Sequence, residues 1–364
     1  MFCLTFRMSS KRIALRAKKK TARHPSNDRA TNMVMTTSPN CAGSGFTAYM
    51  DLPRPDDSDV PLAWGVWGPN DQLGMLNNLL PAKTAAAASL VKTGMRFNLN
   101  LPLNLPLGAI GCATHNIRKP PRQTLFKTTY AGLNIRDDKV DDFFLQASTQ
   151  WDGLTHVGDP VHGFYNNAQD NEITQGVGTR NGIEHFVRYG IATRAVLIDL
   201  PRFFSATGQH WSPNGSLVAT REDLLACLER QKTKLQQGDL LLVRTGWVHA
   251  FREAESDVTR GKLFADRDYS GISGDLDMWE FLWDQRLIGV ASDSVTVEAW
   301  PLHENRPSLH LAIARLGLLL GEMFDLDALA EDAQQNQQYE YFFVSVPLNL
   351  RGGVGSPANA IALR

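Results

Sequence analysis

The stretch QWDGLTHVGDPVH, residues 150–162, places two aspartates and two histidines among small residues and a proline. Asp152 and His156 are four residues apart, and His162 follows six residues later. A glycine and a proline between the two histidines disfavour a helix, so the pattern predicts a strand end or a rigid loop. Such a segment can direct several side chains to one point. We therefore expect the core of an active site here, with further ligands supplied from distant parts of the chain.

The composition is that of an ordinary globular protein of 364 residues, with 43% hydrophobic and 21% charged residues. A chain of this length can bury a sizeable core as one large domain or two smaller ones. No apolar run in the sequence approaches the roughly 20 residues that a membrane-spanning helix needs. We therefore expect no membrane partner.

The charge distribution separates the first 35 residues from the rest of the chain. This leader contains nine Lys or Arg residues and one acid, Asp28, which leaves 28 basic and 37 acidic residues for the body. An acidic body gives little support to nucleic-acid binding. The leader fits an organelle transit peptide, a disordered basic arm, or sequence upstream of a start at Met33 or Met35. We expect residues 1–45 to be disordered and residues 46–364 to form the functional domain, in the cytoplasm unless the leader targets an organelle.

The four cysteines are too scattered for a disulfide framework or a zinc ribbon; they are Cys3, Cys41, Cys112 and Cys227. Cys227 lies in the helical pattern of residues 222–228, where it is most simply a small core residue. A reducing compartment fits this pattern.

Predicted strands and helices alternate along the body. Strands are expected at residues 97–103, 142–147, 195–200, 240–245, 287–292 and 341–346. Helices are expected at residues 81–94, 182–190, 221–236 after a Thr220 capping box, 279–285, and 309–317 after a Ser308 cap, and another is expected to be capped by Asp325 or Asp327. Residues 105–140 are rich in Pro, Gly and basic residues, which predicts a long irregular loop. The alternation, without a repeat of fixed period, indicates an α/β domain.

His310 and Glu322 are the best distant partners for the opening stretch. His310 lies on an otherwise apolar helix, and Glu322 follows the apolar run LLLG at residues 318–321. An uncompensated carboxylate in such a run is costly, and a metal ion would compensate it. Divalent metals take imidazole and carboxylate ligands, so both residues are candidate ligands. The alternative for His310 is a hydrogen-bonded histidine of the core.

These residues resemble the motifs of the cyclase family of metal-dependent hydrolases, which includes kynurenine formamidase and isatin hydrolase. The family motif is His-x-Gly-Thr-His-x-Asp-x-Pro-x-His, and residues 155–162 lie along its second half. The family's later histidine, followed twelve residues on by a glutamate, falls on His310 and Glu322. The likeness includes residues 64–65, 238–247, 291–293 and 353–357. It implies a swivelling β/β/α-type single domain of the α/β class and assembly as a homodimer or homotetramer.

The resemblance implies four ligands, Asp152, His156, His310 and Glu322, around one zinc or manganese ion. It assigns His162 to the catalytic histidine, which acts first as general base and then as acid toward the leaving group. The ion lowers the pKa of water and polarises a carbonyl. The resemblance therefore implies hydrolysis of an amide, lactam or ester bond in a small aromatic substrate. Kynurenine formamidase-like hydrolysis, an arylformamidase step of tryptophan catabolism, is the named expectation.

The chain departs from the family motif at two positions. Asp152 stands where the family has its first histidine, and a carboxylate remains a competent ligand. Gly158 stands where the family has an aspartate, which argues against a second metal ion. Asp159 is adjacent, but in an extended segment its side chain points to the opposite face.

Several candidate residues have a structural alternative. Asp152 caps a turn in one alternative, and His162 is a surface histidine in another. Trp151, Phe164 and Tyr165 either line an aromatic substrate pocket or pack in the core or at its rim. Both possibilities stay open at the level of the sequence.

The remaining polar candidates are weaker. Asp293 and Glu298 either orient metal ligands or serve as caps or solvated surface groups. The histidines without partners at ligand spacing are expected to be structural; they are His115, His185, His210, His249 and His303. The glycine run at residues 352–355 lacks the helix and Lys-Ser of a phosphate-binding loop and predicts a close turn near the site.

Two other functions stay open beside hydrolysis. The same Lewis acid supports ring closure or dehydration in secondary metabolism. Gly158 and Asp152 also fit a degenerate, non-catalytic family member. A small-molecule partner is expected for each of these functions.

Overall fold

The computed structural model describes residues 46–106, 118–175, 179–302 and 307–364. Thr47–Arg364 form one compact unit. Outside the described residues lie the predictions for residues 1–45 and for Cys3, Cys41, Cys112, His115 and His303. None of the described helices is long and apolar enough to cross a membrane.

Six of the described α-helices lie close to where the sequence predicts them, and three, at Leu200–Ala206, Trp247–Glu253 and Asp257–Ala265, were not predicted. Their bounds are α1 (Pro81–Ala88), α2 (Glu184–Tyr189), α3 (Leu200–Ala206), α4 (Arg221–Gln231), α5 (Trp247–Glu253), α6 (Asp257–Ala265), α7 (Leu276–Asp284), α8 (Leu309–Leu316) and α9 (Asp327–Asn336). Short 3-10 turns occur at Tyr49–Asp51, Gly74–Asn78, Tyr165–Asn167 and Asp170–Glu172.

The described strands are short and belong mainly to one sheet. Their bounds are β1 (Arg96–Asn98), β2 (Arg122–Tyr130), β3 (Leu133–Asp141), β4 (Gln150–Asp152), β5 (Ile191–Asp199), β6 (Val218–Ala219), β7 (Leu240–Arg244), β8 (Gly271–Ile272), β9 (Gly289–Ser292), β10 (Leu319–Glu322), β11 (Glu340–Ser345), β12 (Gly355–Pro357) and β13 (Ala360–Leu363). The nine-stranded sheet has the order β1-β13-β11-β5-β7-β9-β10-β4-β12.

The middle of this sheet is parallel and its two sides are antiparallel. β5, β7, β9 and β10 run parallel to one another, as expected for apolar strands that are joined through helices and buried on both faces. β4 and β12 continue the sheet antiparallel on one side, and β11, β13 and β1 do so on the other. The result is a mixed α/β domain with a curled sheet, which confirms the predicted fold class.

Local signals in the sequence explain several helix ends. Thr220 accepts the backbone N–H of Asp223 and donates its own backbone N–H to the Asp223 carboxylate, so the predicted capping box is confirmed. Ser308 caps α8 by accepting a backbone N–H of the first turn, and the helix ends at Gly317, whose φ is 72°. These two ends position the helix that carries His310.

The structure corrects two of the sequence predictions. Residues 105–140, predicted as an irregular loop, contain most of the hairpin β2–β3. That prediction was wrong because both faces of the hairpin are exposed, so no apolar alternation marks its strands. Residues 142–147, predicted as a strand, form bends and turns, because Asp142 takes a left-handed conformation at φ 54° and ends β3.

Smaller differences concern the ends of elements. β1 covers only the start of the strand predicted at residues 97–103, and α1 and α4 end before residues 94 and 236. No aspartate caps α9, because its N-cap is Leu326 and the carboxylate of Asp327 accepts from Arg244 instead.

The main core packs against the nine-stranded sheet. Cys227 lies in this core as a buried, free thiol, as predicted. A second, smaller apolar cluster surrounds Trp247, whose ring stacks on Phe251 with centroids 5.3 Å apart.

Candidate metal centre

The neighbouring strands β4 and β10 carry the first two candidate ligands. In their antiparallel register Gln150 lies opposite Glu322, and Asp152 lies opposite Leu320. Because side chains alternate along a strand, all four residues share one face of the sheet. The carboxylates of Asp152 and Glu322 are therefore diagonal neighbours, and both residues are buried.

The opposite face of the same strands fixes their register. The Trp151 ring is fully buried against Phe324 and Phe343, and its Nε1–H donates to Ser345 Oγ at 2.8 Å. Gly321 lies opposite Trp151, and a Cβ at this glycine would lie 2.6 Å from Trp151 Cζ3. Only a glycine lets the indole lie this close to β10. The structure thus places Trp151 in the core, as in the packing alternative to a substrate pocket.

The first turn of α8 supplies an imidazole to this face. His310 Nε2 lies 3.1 Å from Glu322 Oε1 and 3.8 Å from Asp152 Oδ2. Ligand atoms of these three residues all lie within 4.8 Å of one another. The fold therefore brings together three of the four ligands predicted from the sequence.

Glu298 holds the other nitrogen of the same imidazole. Its Oε1 lies 2.7 Å from His310 Nδ1, and the residue is 1% exposed. A carboxylate on Nδ1 directs Nε2 toward the remaining ligands and raises the basicity of the ring, as is common around metal-binding histidines. Of the two sequence alternatives for Glu298, the geometry supports the one that orients a ligand.

The charges at this site interact strongly. Burial and then the carboxylate of Asp152 raise the pKa of Glu322 to about 7, against the lowering effect of His310. Burial alone would lower the pKa of His310, but the carboxylates of Glu298 and Glu322 raise it well above its usual value. Three buried carboxylates thus share one imidazole, and the site has a surplus of negative charge.

An unsatisfied oxygen shows what would balance this charge. Asp152 Oδ2, which belongs to one of the three grouped ligands, is buried without a hydrogen-bond partner in the part of the chain that the structure describes. A buried carboxylate without a partner is unfavourable, and a divalent cation removes that cost. Imidazole and carboxylate are the ligands that zinc and manganese accept. The residues at this site therefore fit a divalent metal ion.

Gln150 completes the inner face of the site, a role that the sequence did not predict. Its fully buried amide Nε2 donates to Glu322 Oε2 at 2.6 Å and to Asp152 Oδ1 at 3.3 Å. The amide therefore holds the two carboxylates side by side. The signal available in the sequence was its place two residues before Asp152, which puts it on the same strand face.

His156, the fourth predicted ligand, lies beside the group. Its Nε2 is 3.7 Å from Asp152 Oδ1, and its backbone N–H closes a turn with the carbonyl of Gly153. The group within 4.8 Å contains the other three ligands and not His156. Its role as a ligand remains a prediction.

His162 has different neighbours from the three grouped ligands. Its Nδ1 lies 3.1 Å from Asp159 Oδ1, and its Nε2 lies 3.2 Å from Asp57 Oδ1. Arg315 binds Asp159 Oδ2 at 2.6 Å and lies on α8, five residues or about 7.5 Å of helix rise beyond His310. Burial would raise the pKa of Asp159, but backbone N–H groups of the turn and the Arg315 guanidinium lower it on balance. His162 is thus held by charged groups, and its catalytic role remains a prediction.

Phe164 occupies the space next to Gly158. A Cβ at this glycine would lie 3.0 Å from Phe164 Cζ, so the ring covers the position where the family motif has an aspartate side chain. This contact agrees with the expectation of a single metal ion. Tyr165 is fully buried, and its hydroxyl donates to Asp71 Oδ2 at 2.9 Å, which is a packing role.

Asp293 and the histidines without predicted partners make contacts outside the group of three ligands. Asp293 accepts hydrogen bonds from Thr245 and Gly246, as a cap would. Two of the described lone histidines contact acidic residues: His185 Nε2 lies 4.0 Å from Glu184 Oε1, and His249 Nδ1 lies 3.6 Å from Asp327 Oδ2. The predicted glycine turn forms at residues 351–352, where Gly352 donates to the Glu184 carboxylate.

Comparison with known proteins agrees with this geometry. The sequence model of the Cyclase family matches residues 99–299. A solved structure described as a novel cyclase is 33% identical, covers 83% of this chain and 99% of its own, and superposes with a TM-score of 0.73. Isatin hydrolase A from Ralstonia solanacearum is 16% identical, covers 78% of this chain and 97% of its own, and has a TM-score of 0.50, which shows a shared fold. No curated protein matches the chain. The matched family model and the 33% identity over most of the length show that this protein belongs to the cyclase family.

Proposed function

We propose that the protein is a metal-dependent hydrolase that cleaves an amide, lactam or ester bond in a small aromatic substrate. The observation that carries the proposal is the convergence of Asp152, His310 and Glu322 at one buried point, with one carboxylate oxygen left unsatisfied. A zinc or manganese ion held there supplies a Lewis acid that polarises a carbonyl and lowers the pKa of water.

The protein groups have separate tasks in this proposal. Asp152, Glu322 and His310 hold the ion, with His156 as a fourth ligand beside Asp152. Glu298 keeps the imidazole of His310 turned toward the carboxylates. These residues orient the site and keep its charge balanced.

His162 moves the proton in this proposal. It takes a proton as general base when the carbonyl is attacked and returns it to the leaving group as general acid. Asp159, fixed by Arg315, holds its Nδ1, so the ring cannot turn freely. His162 Nε2 then exchanges the proton with the substrate, which takes the place that Asp57 occupies next to this nitrogen.

The substrate class follows from the reaction chemistry and from the family. Amides, lactams and esters share the carbonyl that the site is built to activate. Kynurenine formamidase, an arylformamidase, and isatin hydrolase belong to the same family, so N-formylated anilines and aromatic lactams are the first compounds to test. Among them, kynurenine formamidase-like hydrolysis is the specific activity that we propose.

The test is hydrolysis by purified full-length protein, first stripped of metal and then supplied with zinc or manganese. The panel contains N-formylkynurenine, formanilide, isatin and aromatic lactones. We expect turnover of at least one of these compounds only in the metal-loaded protein, and none in the Asp152→Asn variant. Metal-independent turnover, or no turnover across the panel, would contradict the proposal.

Product analysis distinguishes the alternatives. In water labelled with oxygen-18, hydrolysis introduces one solvent oxygen into the product, whereas ring closure or dehydration introduces none. Stoichiometric metal without any turnover would instead indicate a non-catalytic family member.

A further inference from the structure

Arg118 is a cation that neither the metal ligands nor the catalytic histidine use. It is half-buried, and its guanidinium donates from Nη1 to the backbone carbonyl of Gln146 at 2.6 Å. In the described part of the chain it makes no other hydrogen bond and no ion pair. Because a guanidinium has five N–H donors, most of them are open to a ligand.

The position of Gln146 places this cation near the ligand strands. Gly355 on β12 lies opposite Asp152 on β4, so a side chain at Gly355 would share the face that carries Asp152. Gln146 fills that space instead, since a Cβ at Gly355 would lie 2.7 Å from Gln146 Nε2. The residue that accepts from Arg118 therefore lies on the ligand face, one strand from Asp152.

The positive charge of Arg118 acts on the metal centre. Burial and then Asp152 raise the pKa of Glu322 to about 7. The cations that oppose this rise are His310 first and Arg118 second. The buried carboxylates of the centre repel a negatively charged substrate, and a cation beside them offsets that repulsion. An anionic group of a substrate is therefore best placed on the side of Arg118.

A structural role alone does not explain an arginine at this position. Arg118 precedes β2 and Gln146 follows β3, so their hydrogen bond also closes the base of the hairpin. That task needs one donor and no charge, because the acceptor is a neutral carbonyl. A half-buried charge without an ion-pair partner is unfavourable, and an anionic ligand removes that cost.

The neighbouring side chains indicate what kind of molecule carries the anionic group. Met323, which follows the ligand Glu322, belongs to the apolar cluster around Trp247. Phe144 packs against the same cluster and is only partly buried, so an aromatic body can pack beside it. One guanidinium matches the single charge of a carboxylate, which it binds through two parallel N–H donors.

We propose that Arg118 binds a carboxylate of the substrate, so that the protein prefers aromatic amides that carry a carboxylate over neutral ones. This inference rests on the proposed hydrolase function and adds the charge of its substrate. Arg118 determines specificity in this proposal and takes no part in bond cleavage.

Binding of two probes tests the site without turnover. The probes are kynurenine and its carboxamide, which has an uncharged amide in place of the carboxylate, titrated into zinc-loaded protein by isothermal titration calorimetry. We expect kynurenine to bind about tenfold more tightly than the carboxamide, and Arg118→Gln to abolish the difference by weakening kynurenine alone. Arg118→Lys, which keeps the charge but not the planar pair of donors, should retain part of the difference.

The matched control is Lys119→Gln, which removes the same charge from the adjacent exposed residue and should keep the full difference. Zinc should stay stoichiometric in all three variants. Equal affinities of the unmodified protein for the two probes would overturn the proposal. A preference for kynurenine that Arg118→Gln retains would overturn it as well, because the carboxylate would then bind the metal ion or another residue.

Turnover distinguishes carboxylate binding from a role in catalysis. For Arg118→Gln we expect KM for N-formylkynurenine to rise about tenfold, and kcat for the neutral substrate formanilide to stay within about twofold of the unmodified protein. A larger fall in kcat for formanilide would place Arg118 in bond cleavage and contradict the proposal. If neither compound is hydrolysed, the hydrolase function fails, while a binding preference that Arg118→Gln abolishes still supports the carboxylate site.

Discussion

At the scale of single residues, substitution of Gln150 tests whether its amide, which bonds two of the ligands, contributes to metal affinity. Gln150→Leu removes the donors that hold Glu322 and Asp152 together while keeping a similar volume. We expect metal affinity, measured by competition with a chelator, to fall about 10- to 100-fold, as for other groups that orient ligands. Gln334→Leu on the exposed face of α9 is the control and should bind metal like the unmodified protein. Unchanged affinity in Gln150→Leu would assign the amide to packing alone.

Substitution of His162 distinguishes a loss of proton transfer from a loss of metal binding. Its ring bonds Asp159 and Asp57 and none of the three grouped ligands, so His162→Ala should retain stoichiometric metal. We expect kcat to fall about 100- to 10,000-fold, the usual contribution of a general acid–base group. His249→Ala, an exposed histidine beside Asp327, should leave kcat unchanged. Full turnover in His162→Ala would exclude the catalytic role.

The residue scale also shows what the sequence can and cannot indicate about the site. Asp152, His310 and Glu322 could be selected because charged groups in apolar or Gly-rich surroundings need a partner, and the resemblance to the family motifs implied that they bind one metal ion together. Gln150 could not, because an uncharged amide gives no such signal until the register places it opposite Glu322. Glu298 kept two interpretations until its distance to His310 was known.

At the scale of secondary-structure elements, Gly321 is the contact that aligns the two ligand strands. Its ideal Cβ would lie 2.6 Å from Trp151, 2.7 Å from Phe324 and 2.8 Å from Ala291, so Gly321→Ala must displace β4 or β10. We expect a loss of about 1–3 kcal/mol in the free energy of unfolding, measured in urea, together with weaker metal binding. Gly261→Ala is the control: its Cβ meets nothing within 4 Å in α6, and the substitution should stabilise by about 0.5–1 kcal/mol. Equal effects of the two variants would show that the contact does not constrain the strands.

Elements with a strong local signal were predictable and those without one were not. The apolar strands β5, β7 and β9, and helices with caps such as Ser308, lie where the pattern places them. The hairpin β2–β3 escaped prediction because its strands are solvated on both faces, and alternation of polarity arises only when one face is buried. The order of strands in the sheet depends on contacts between distant segments, such as β4 between β10 and β12, which no local pattern contains.

At the scale of the whole molecule, the surplus of buried negative charge couples metal binding to folding. An ion that binds only the folded protein stabilises it by about 2.7 kcal/mol at a free concentration one hundred times its Kd. We expect zinc or manganese to raise Tm by several degrees in differential scanning fluorimetry.

Asp152→Asn distinguishes this coupling from binding elsewhere on the surface. The variant removes a ligand, so the metal-dependent rise in Tm should vanish. It also removes the charge that raises the pKa of Glu322, so the metal-free variant should be at least as stable as the metal-free parent. A rise in Tm that persists in Asp152→Asn would place the stabilising ion outside this centre. A metal-free variant that is less stable than the metal-free parent would instead mean that Asp152 stabilises the fold chiefly through its contacts with Gln150 and His310. In that case the negative charge of the buried carboxylates is already balanced within the protein.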